Sequence, residues 1–169
     1  DQRKITYINK NINFNNTVFI VVSKSGNTTE TLTNLNLLKK NKKKSNNFIV
    51  ITENKNNALS NFSKEFGILK IIHKNFIGGR YSVLSEVGML PAYFMGLNIN
   101  KLRKNLDENF KIKKRNFLTQ SAAKISQIYS KNSYSSIVLL NYCPELNEFL
   151  SWYQQLLAES LGKNKIGLL

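Results

Sequence analysis

The chain has 169 residues, enough for one sizeable core or for one domain and part of another. Its 41% hydrophobic and 11% aromatic content excludes a disordered chain, and its single cysteine, Cys143, excludes an internal disulfide framework or a cysteine-rich metal site, so a cytoplasmic, reducing setting is expected. The net charge of +15 raises the question of a nucleic-acid partner, yet the basic runs at 39–44, 101–104 and 111–115 carry no interleaved aromatics that could stack bases. These runs are read as solvated surface, with no nucleic-acid partner expected. No apolar run is long enough to span a bilayer, so no membrane partner is expected either.

In chain order, Arg3 to Asn9 has the pattern of the end of a helix, and Asn13 to Asn16 is a polar turn. Thr17-Val18-Phe19-Ile20-Val21-Val22 is an unbroken β-branched and aromatic run, which predicts a strand buried on both faces. A hydroxyl-rich glycine turn follows. The spacing of Leu32, Leu35 and Leu38 then predicts a helix over 28–39, with Asn27 and Glu30, or Thr28 and Thr31, offering its cap. Asn47 to Thr52 predicts a second strand, Ala58 to Phe66 a short helix and Gly67 to His73 a third strand. This alternation implies right-handed crossovers and a parallel sheet covered on both faces, a three-layer αβα sandwich of the α/β class. After Arg80 the texture changes. An apolar helix is expected over 82–97 with Pro91 bending it, another helix over Phe117 to Tyr129, and a fourth strand over Ser136 to Tyr142. A final helix is expected from Pro144, with Cys143 at its cap, to Leu161, stopped by Gly162. The basic stretch from Lys101 to Arg115 marks the expected boundary between two subdomains.

Three constellations carry chemistry. Ser23-Lys24-Ser25-Gly26-Asn27-Thr28 sits where ligands bind in open parallel sheets, at the carboxyl end of a strand and the start of a helix. Its backbone N–H groups, three hydroxyls and one ammonium suit an anion, and that is more than a well-capped turn requires. Gly78-Gly79 allows a sharp turn and close approach of a ligand, and Arg80 follows at a helix start. A helix N-terminus disfavours a cation, so an arginine there makes better sense with an anion beside it than as an ordinary surface residue. Glu159 lies in the last turn of the final helix, where the helix dipole disfavours a carboxylate, and Gln155 lies one turn earlier on the same face. The plain alternative is an exposed glutamate, its charge offset by Lys163; the functional reading is a general base. His73, the only histidine, lies on a buried strand and is read as structural. No cluster of His, Cys, Asp and Glu has metal-ligand spacing. A phosphate grip, a base and an anion stabiliser are together the parts that a sugar-phosphate isomerase needs.

These segments resemble the phosphoglucose isomerase family, whose members have the sugar-isomerase (SIS) fold. Ser23-Lys24-Ser25-Gly26-Asn27-Thr28-Thr29-Glu30-Thr31 is similar to its phosphate loop, Ile77-Gly78-Gly79-Arg80-Tyr81-Ser82 to its V-G-G-R-[FY]-S signature, and Trp152 to Lys163 to its W-x-x-Q-L-x-A-E-S-x-G-K segment. The resemblance covers essentially the whole chain. It implies that Ser23, Lys24, Ser25, Gly26, Asn27 and Thr28 hold the substrate phosphate and that Arg80 stabilises an enediolate. It further implies that Gly79 and Gln155 contact the substrate and that Glu159 shuttles a proton between C2 and C1. Glucose 6-phosphate and fructose 6-phosphate are the implied substrates. No metal or organic cofactor is implied, and a homodimer is expected for the full-length enzyme. Residues 1–100 would form part of a first SIS domain, and 101–169 a linker and the start of a second domain carrying Glu159.

The chain also departs from the family pattern. Glu86 follows Ser85 where small residues are usual, and Asn75 stands where aspartate is frequent. An upstream Gly-Ser loop, a ring-opening histidine from the partner subunit and a C-terminal lysine are not in the sequence. The chain is therefore expected to be an internal piece of a longer enzyme and inactive alone. The competing expectation is a non-catalytic SIS domain that senses a sugar phosphate. Such a domain would need the first loop but not Gly78-Gly79-Arg80 or Glu159.

Overall fold

The computed structural model describes residues 2–39, 45–132 and 136–161, which form two compact units, Asp1–Ile99 and Asn100–Leu169. The expected stop at Gly162, the partner Lys163 and much of the basic run after Lys39 lie outside the described residues.

The first unit begins with α1 (Gln2–Asn11), which lies against α2 (Thr29–Lys39). Between them runs β1 (Phe19–Val22), and β2 (Phe48–Glu53), α3 (Ala58–Glu65) and β3 (Leu69–His73) follow. The strands form one parallel sheet in the order β1-β2-β3, with Phe19 opposite Phe48 and Ile49 opposite Leu69. The predicted strands and helices of this half are all present, with ends displaced by up to four residues. Thr17, for example, closes a short turn by donating its hydroxyl to the Asn13 carbonyl at 2.7 Å.

The sheet is built from β-branched residues that alternate between two faces. Val21, Phe48 and Val50 turn to the face where Leu35 of α2 and Leu59 of α3 pack, with Phe19, Leu32, Phe62 and Phe66 around them. Leu59 is 0% exposed, and burying a side chain of that size contributes roughly 1.5–3 kcal/mol. Phe14, Phe19 and Phe48 stack in a row, with ring centroids 5.3 and 5.1 Å apart. The alternate residues, Ile51 and His73 among them, turn to the other face, where α4 (Glu86–Phe94) meets β3. Helices thus flank a parallel sheet on both faces, the three-layer arrangement expected.

Helix α3 shows why its ends fall where they do. Asn57 caps it by accepting from the Ser60 N–H at 2.8 Å. At its other end Gly67 takes a φ of +60°, and the N–H groups of Gly67 and Ile68 return to the carbonyls of Lys64 and Ser63. This closure requires a left-handed residue, for which glycine is best suited.

Helix α4 starts later than the apolar composition of 82–97 predicts. The hydroxyls of Ser82 and Ser85 donate to the carbonyls of Gly79 and Ser82, both at 2.6 Å, and hold that stretch in turns. Ser85 then caps α4 by accepting from the Val87 N–H.

The second unit comprises α5 (Ile99–Arg103) from its second residue on, α6 (Leu106–Asn109), α7 (Ile112–Asn132) and α8 (Asn147–Leu161). A short 3-10 turn, Pro144–Leu146, leads into α8 with Cys143 at its N-cap, as the position of Pro144 predicts. The expected fourth strand over Ser136 to Tyr142 is not formed: this segment has no regular secondary structure and pairs with no strand among the described residues. A buried-strand composition creates a strand only where a neighbouring chain accepts its backbone hydrogen bonds. Without one, Val138 and Tyr142 stand 76% and 92% exposed.

Candidate functional site

The carboxyl ends of the three strands carry the candidate groups of the first unit: Ser23 after β1, Glu53 at the end of β2 and His73 at the end of β3. The turn after β1 closes on itself. The buried Ser23 Oγ accepts from the Gly26 N–H at 3.1 Å and lies 2.7 Å from Thr28 Oγ1 and 3.5 Å from Ser25 Oγ. Gly26 has a φ of +70°, and a Cβ there would meet Asn57 Oδ1 at 2.1 Å, so both the backbone and the packing require glycine. The Thr28 carbonyl accepts the first helical bond of α2, from the Leu32 N–H at 3.0 Å. The N–H groups just past Thr28 therefore have no partner within the helix, and Ser25 and Thr28 on the same turn are exposed. Such a cluster of donors suits a dianionic oxygen group.

Neither predicted capping pair accounts for Asn27 or Thr28. Asn27 Oδ1 accepts from the Ala58 N–H at 2.9 Å, serving the start of α3, while the Thr28 hydroxyl faces Ser23. Asn27 is thus a brace between the turn and the next helix.

Lys24 is held rather than extended into solvent. Its Nζ donates to the Asn75 carbonyl at 2.9 Å and lies 3.5 Å from Glu53 Oε1. Glu53 also pairs with Lys55. The hydrogen bond from Lys55, with the nearby charges of Lys55 and Lys24, holds the Glu53 carboxyl below the usual carboxylate range. Sequence reasoning passed over Glu53. Its one signal was an acidic residue ending a strand whose other side chains are apolar or hydroxylated.

Gly79–Tyr81 forms a 3-10 turn, with Arg80 in its middle and the guanidinium 6.0 Å from the Tyr81 ring centroid. Gly78 has a φ of −66° and a ψ of 145°, which any residue adopts, so a left-handed turn does not explain this glycine. At Gly79 a Cβ would meet nothing within 4 Å, which leaves open space against the backbone beside Arg80.

His73 is buried, as the strand pattern predicts. Its Nδ1 pairs with Glu86 Oε1, and its Nε2 lies 3.1 Å from the Ile77 carbonyl. The unusual glutamate at 86 therefore has a specific partner, one that spacing along the chain could not reveal.

In the second unit Gln155 and Glu159 stand one turn apart on α8, and Gln155 Nε2 donates to Glu159 Oε1 at 2.8 Å. Both side chains are exposed. The amide orients the carboxylate and leaves it lone pairs with which to take a proton. Phe149 and Trp152 pack together earlier on the same helix, with centroids 5.6 Å apart.

Among the described residues no group of three or more His, Cys, Asp or Glu is placed to hold a metal ion, and no helix is long and apolar enough to cross a membrane.

Comparison with known proteins bears on this arrangement. A family model described as phosphoglucose isomerase matches residues 1–166. The glucose-6-phosphate isomerase of Methanocaldococcus jannaschii is 34% identical over 99% of this chain, and that of Fusobacterium nucleatum is 34% identical over 88%. The chain spans 43% and 35% of the lengths of these two relatives. Among solved structures, a hypothetical protein of Thermus thermophilus superposes with a TM-score of 0.82 at 26% identity, over all of this chain and 43% of its own. With the family match extending over nearly every residue, the chain belongs to the phosphoglucose isomerase family.

Proposed function

We propose that the natural protein containing this chain interconverts glucose 6-phosphate and fructose 6-phosphate through an enediolate, a step shared by glycolysis and gluconeogenesis. The observation that carries this reading is the tie between two loops at the carboxyl end of one sheet. Lys24 of the serine turn donates to Asn75, on the segment that leads into Gly79 and Arg80. The serine turn and the segment ahead of the arginine turn are thereby joined by one contact.

In this reading Ser23, Ser25 and Thr28, with the backbone of Gly26 and Asn27, receive the phosphate, and Lys24 adds charge. Glu159 takes the proton from C2 of the open-chain aldose and returns it to C1, while Gln155 holds the carboxylate and contacts substrate. Charge that develops on the substrate oxygens is met by Arg80, with Gly79 leaving room for the sugar. A fixed guanidinium helps most where charge appears only in the transition state. The hydrogen moves within one molecule, so no external oxidant or organic cofactor enters. Residues 1–100 and 101–169 would belong to successive SIS domains of a cytoplasmic homodimer. The ring-opening histidine would come from the partner subunit, so the 169-residue chain alone would lack turnover.

The test is proton exchange. Fructose 6-phosphate incubated in deuterated water with the natural protein should gain deuterium on carbon, and the Glu159→Gln variant should lose that exchange. A protein that binds the sugar phosphate without exchanging its protons would instead be a sugar-phosphate sensor.

A further inference from the structure

We infer that His73 and Glu86 act as a positioning pair that fixes the turn carrying Arg80, an inference that rests on the isomerase reading above. His73 is the last residue of β3 and is 2% exposed. The Ile77 carbonyl can only accept, so the imidazole Nε2 carries a hydrogen and donates to it at 3.1 Å. That leaves Nδ1 against Oε1 of Glu86, the first residue of α4, with one proton between the two atoms.

The two partners lie on either side of the arginine turn. Ile77 immediately precedes Gly78, and Glu86 immediately follows the α4 cap at Ser85. Inside this bracket the backbone and serine-hydroxyl hydrogen bonds are local: Tyr81 N–H to the Gly78 carbonyl, Ser82 to Gly79, and Ser85 to Ser82. Local bonds of this kind give the turn its shape. They do not set its direction relative to the sheet. Lys24 holds Asn75 ahead of the turn, and the imidazole on β3 holds both of its ends.

Packing alone is a poor reason for such a pair. His73 is buried and the Glu86 side chain is 22% exposed, and such a pair gains less stability than apolar side chains of the same volume, whereas it fixes one geometry well. A displacement of about 1 Å at a reacting site lowers rate by roughly 10²-fold. The pair therefore acts on the step that Arg80 assists. The phosphate grip after β1 is held by separate contacts.

The experiment uses the complete natural protein with His73→Gln, Glu86→Ala, the double variant and the conservative Glu86→Gln. Three readouts are taken: kcat and KM for fructose 6-phosphate, affinity for inorganic phosphate, and affinity for a five-carbon aldonic acid phosphate whose carboxylate imitates the enediolate. The single variants should lower kcat by about 10- to 100-fold and weaken the aldonate at least about tenfold. KM and the affinity for inorganic phosphate should stay within about threefold. The double variant should lose no more than the worse single variant, as coupled residues do. Glu86→Gln, which can still hydrogen-bond Nδ1, should recover most of the loss.

Variants with parental kcat and aldonate affinity would overturn the proposal even if they melted earlier, because the pair would then serve packing alone. Equal loss of inorganic phosphate and aldonate binding would overturn it too. A parent that binds the aldonate but does not isomerise would refute the isomerase reading, and the aldonate affinities would still decide the role of the pair.

Discussion

Lys24 donates to the Asn75 carbonyl at 2.9 Å while lying 3.5 Å from Glu53, so one ammonium joins the ends of all three strands. Glu53 acts as its counter-ion, and a phosphate entering the serine turn would share the same cation. Loss of this contact should be felt in the serine turn through the position of the Lys24 charge, whereas the arginine turn beyond Ile77 is held by His73 and Glu86.

Glu53 gives that coupling a pH signature. Its carboxyl is held below the usual range by the hydrogen bond from Lys55, with further help from the charges of Lys55 and Lys24. A group whose folded pKa is depressed adds stability that is present above its unfolded pKa and is lost as pH falls through the folded one. Thermal midpoints should therefore fall in the acid range, below ordinary carboxylate titration. Glu53→Gln should flatten that part of the profile and weaken phosphate binding by freeing Lys24. An unchanged acid slope in the variant would show that the ion pairs contribute nothing.

Gly26→Ala should be severe for its size. The residue sits at a φ of +70°, and the new methyl would meet the Asn57 side chain at 2.1 Å. Strain and clash together should cost about 2 kcal/mol or more in denaturant unfolding, with phosphate affinity falling as the turn is displaced. A variant with parental stability would mean that the turn is looser than these contacts imply.

Leu59→Ala tests the core instead of the site. The side chain is 0% exposed beneath the sheet, and its loss should cost roughly 2–5 kcal/mol by chemical denaturation. At temperatures where the variant remains folded, KM for the sugar phosphate should hardly move. A large KM change in the folded variant would tie α3 more directly to the ligand.

How much of this was legible in the amino-acid order depended on the range of each interaction. The β-branched runs around Ile20 and Val50 announced strands because a strand's composition is local, and the leucine spacing of α2 announced its helix. The segment around Val138 carried the same signature and formed no strand, since pairing depends on a partner that composition cannot name. Ser23, Ser25 and Thr28 were readable as one cluster because they lie within a single short turn. Lys24 to Asn75, Asn27 to Ala58 and His73 to Glu86 were not readable, as each joins residues on different elements brought together only by the fold. The glycine at 78 was explained by a sharp turn from sequence, whereas its backbone is ordinary and the open space lies at Gly79.

In the proposed reaction Glu159 moves a proton on a sugar phosphate gripped by the serine turn. The most direct measurement is the rate of fructose 6-phosphate isomerisation by the complete natural protein beside its Glu159→Gln variant, with sugar-phosphate affinity measured for both. The parent should turn over, and the variant should be slowed by roughly 10²–10⁴-fold at nearly unchanged affinity. A variant that isomerises as fast as the parent would contradict it.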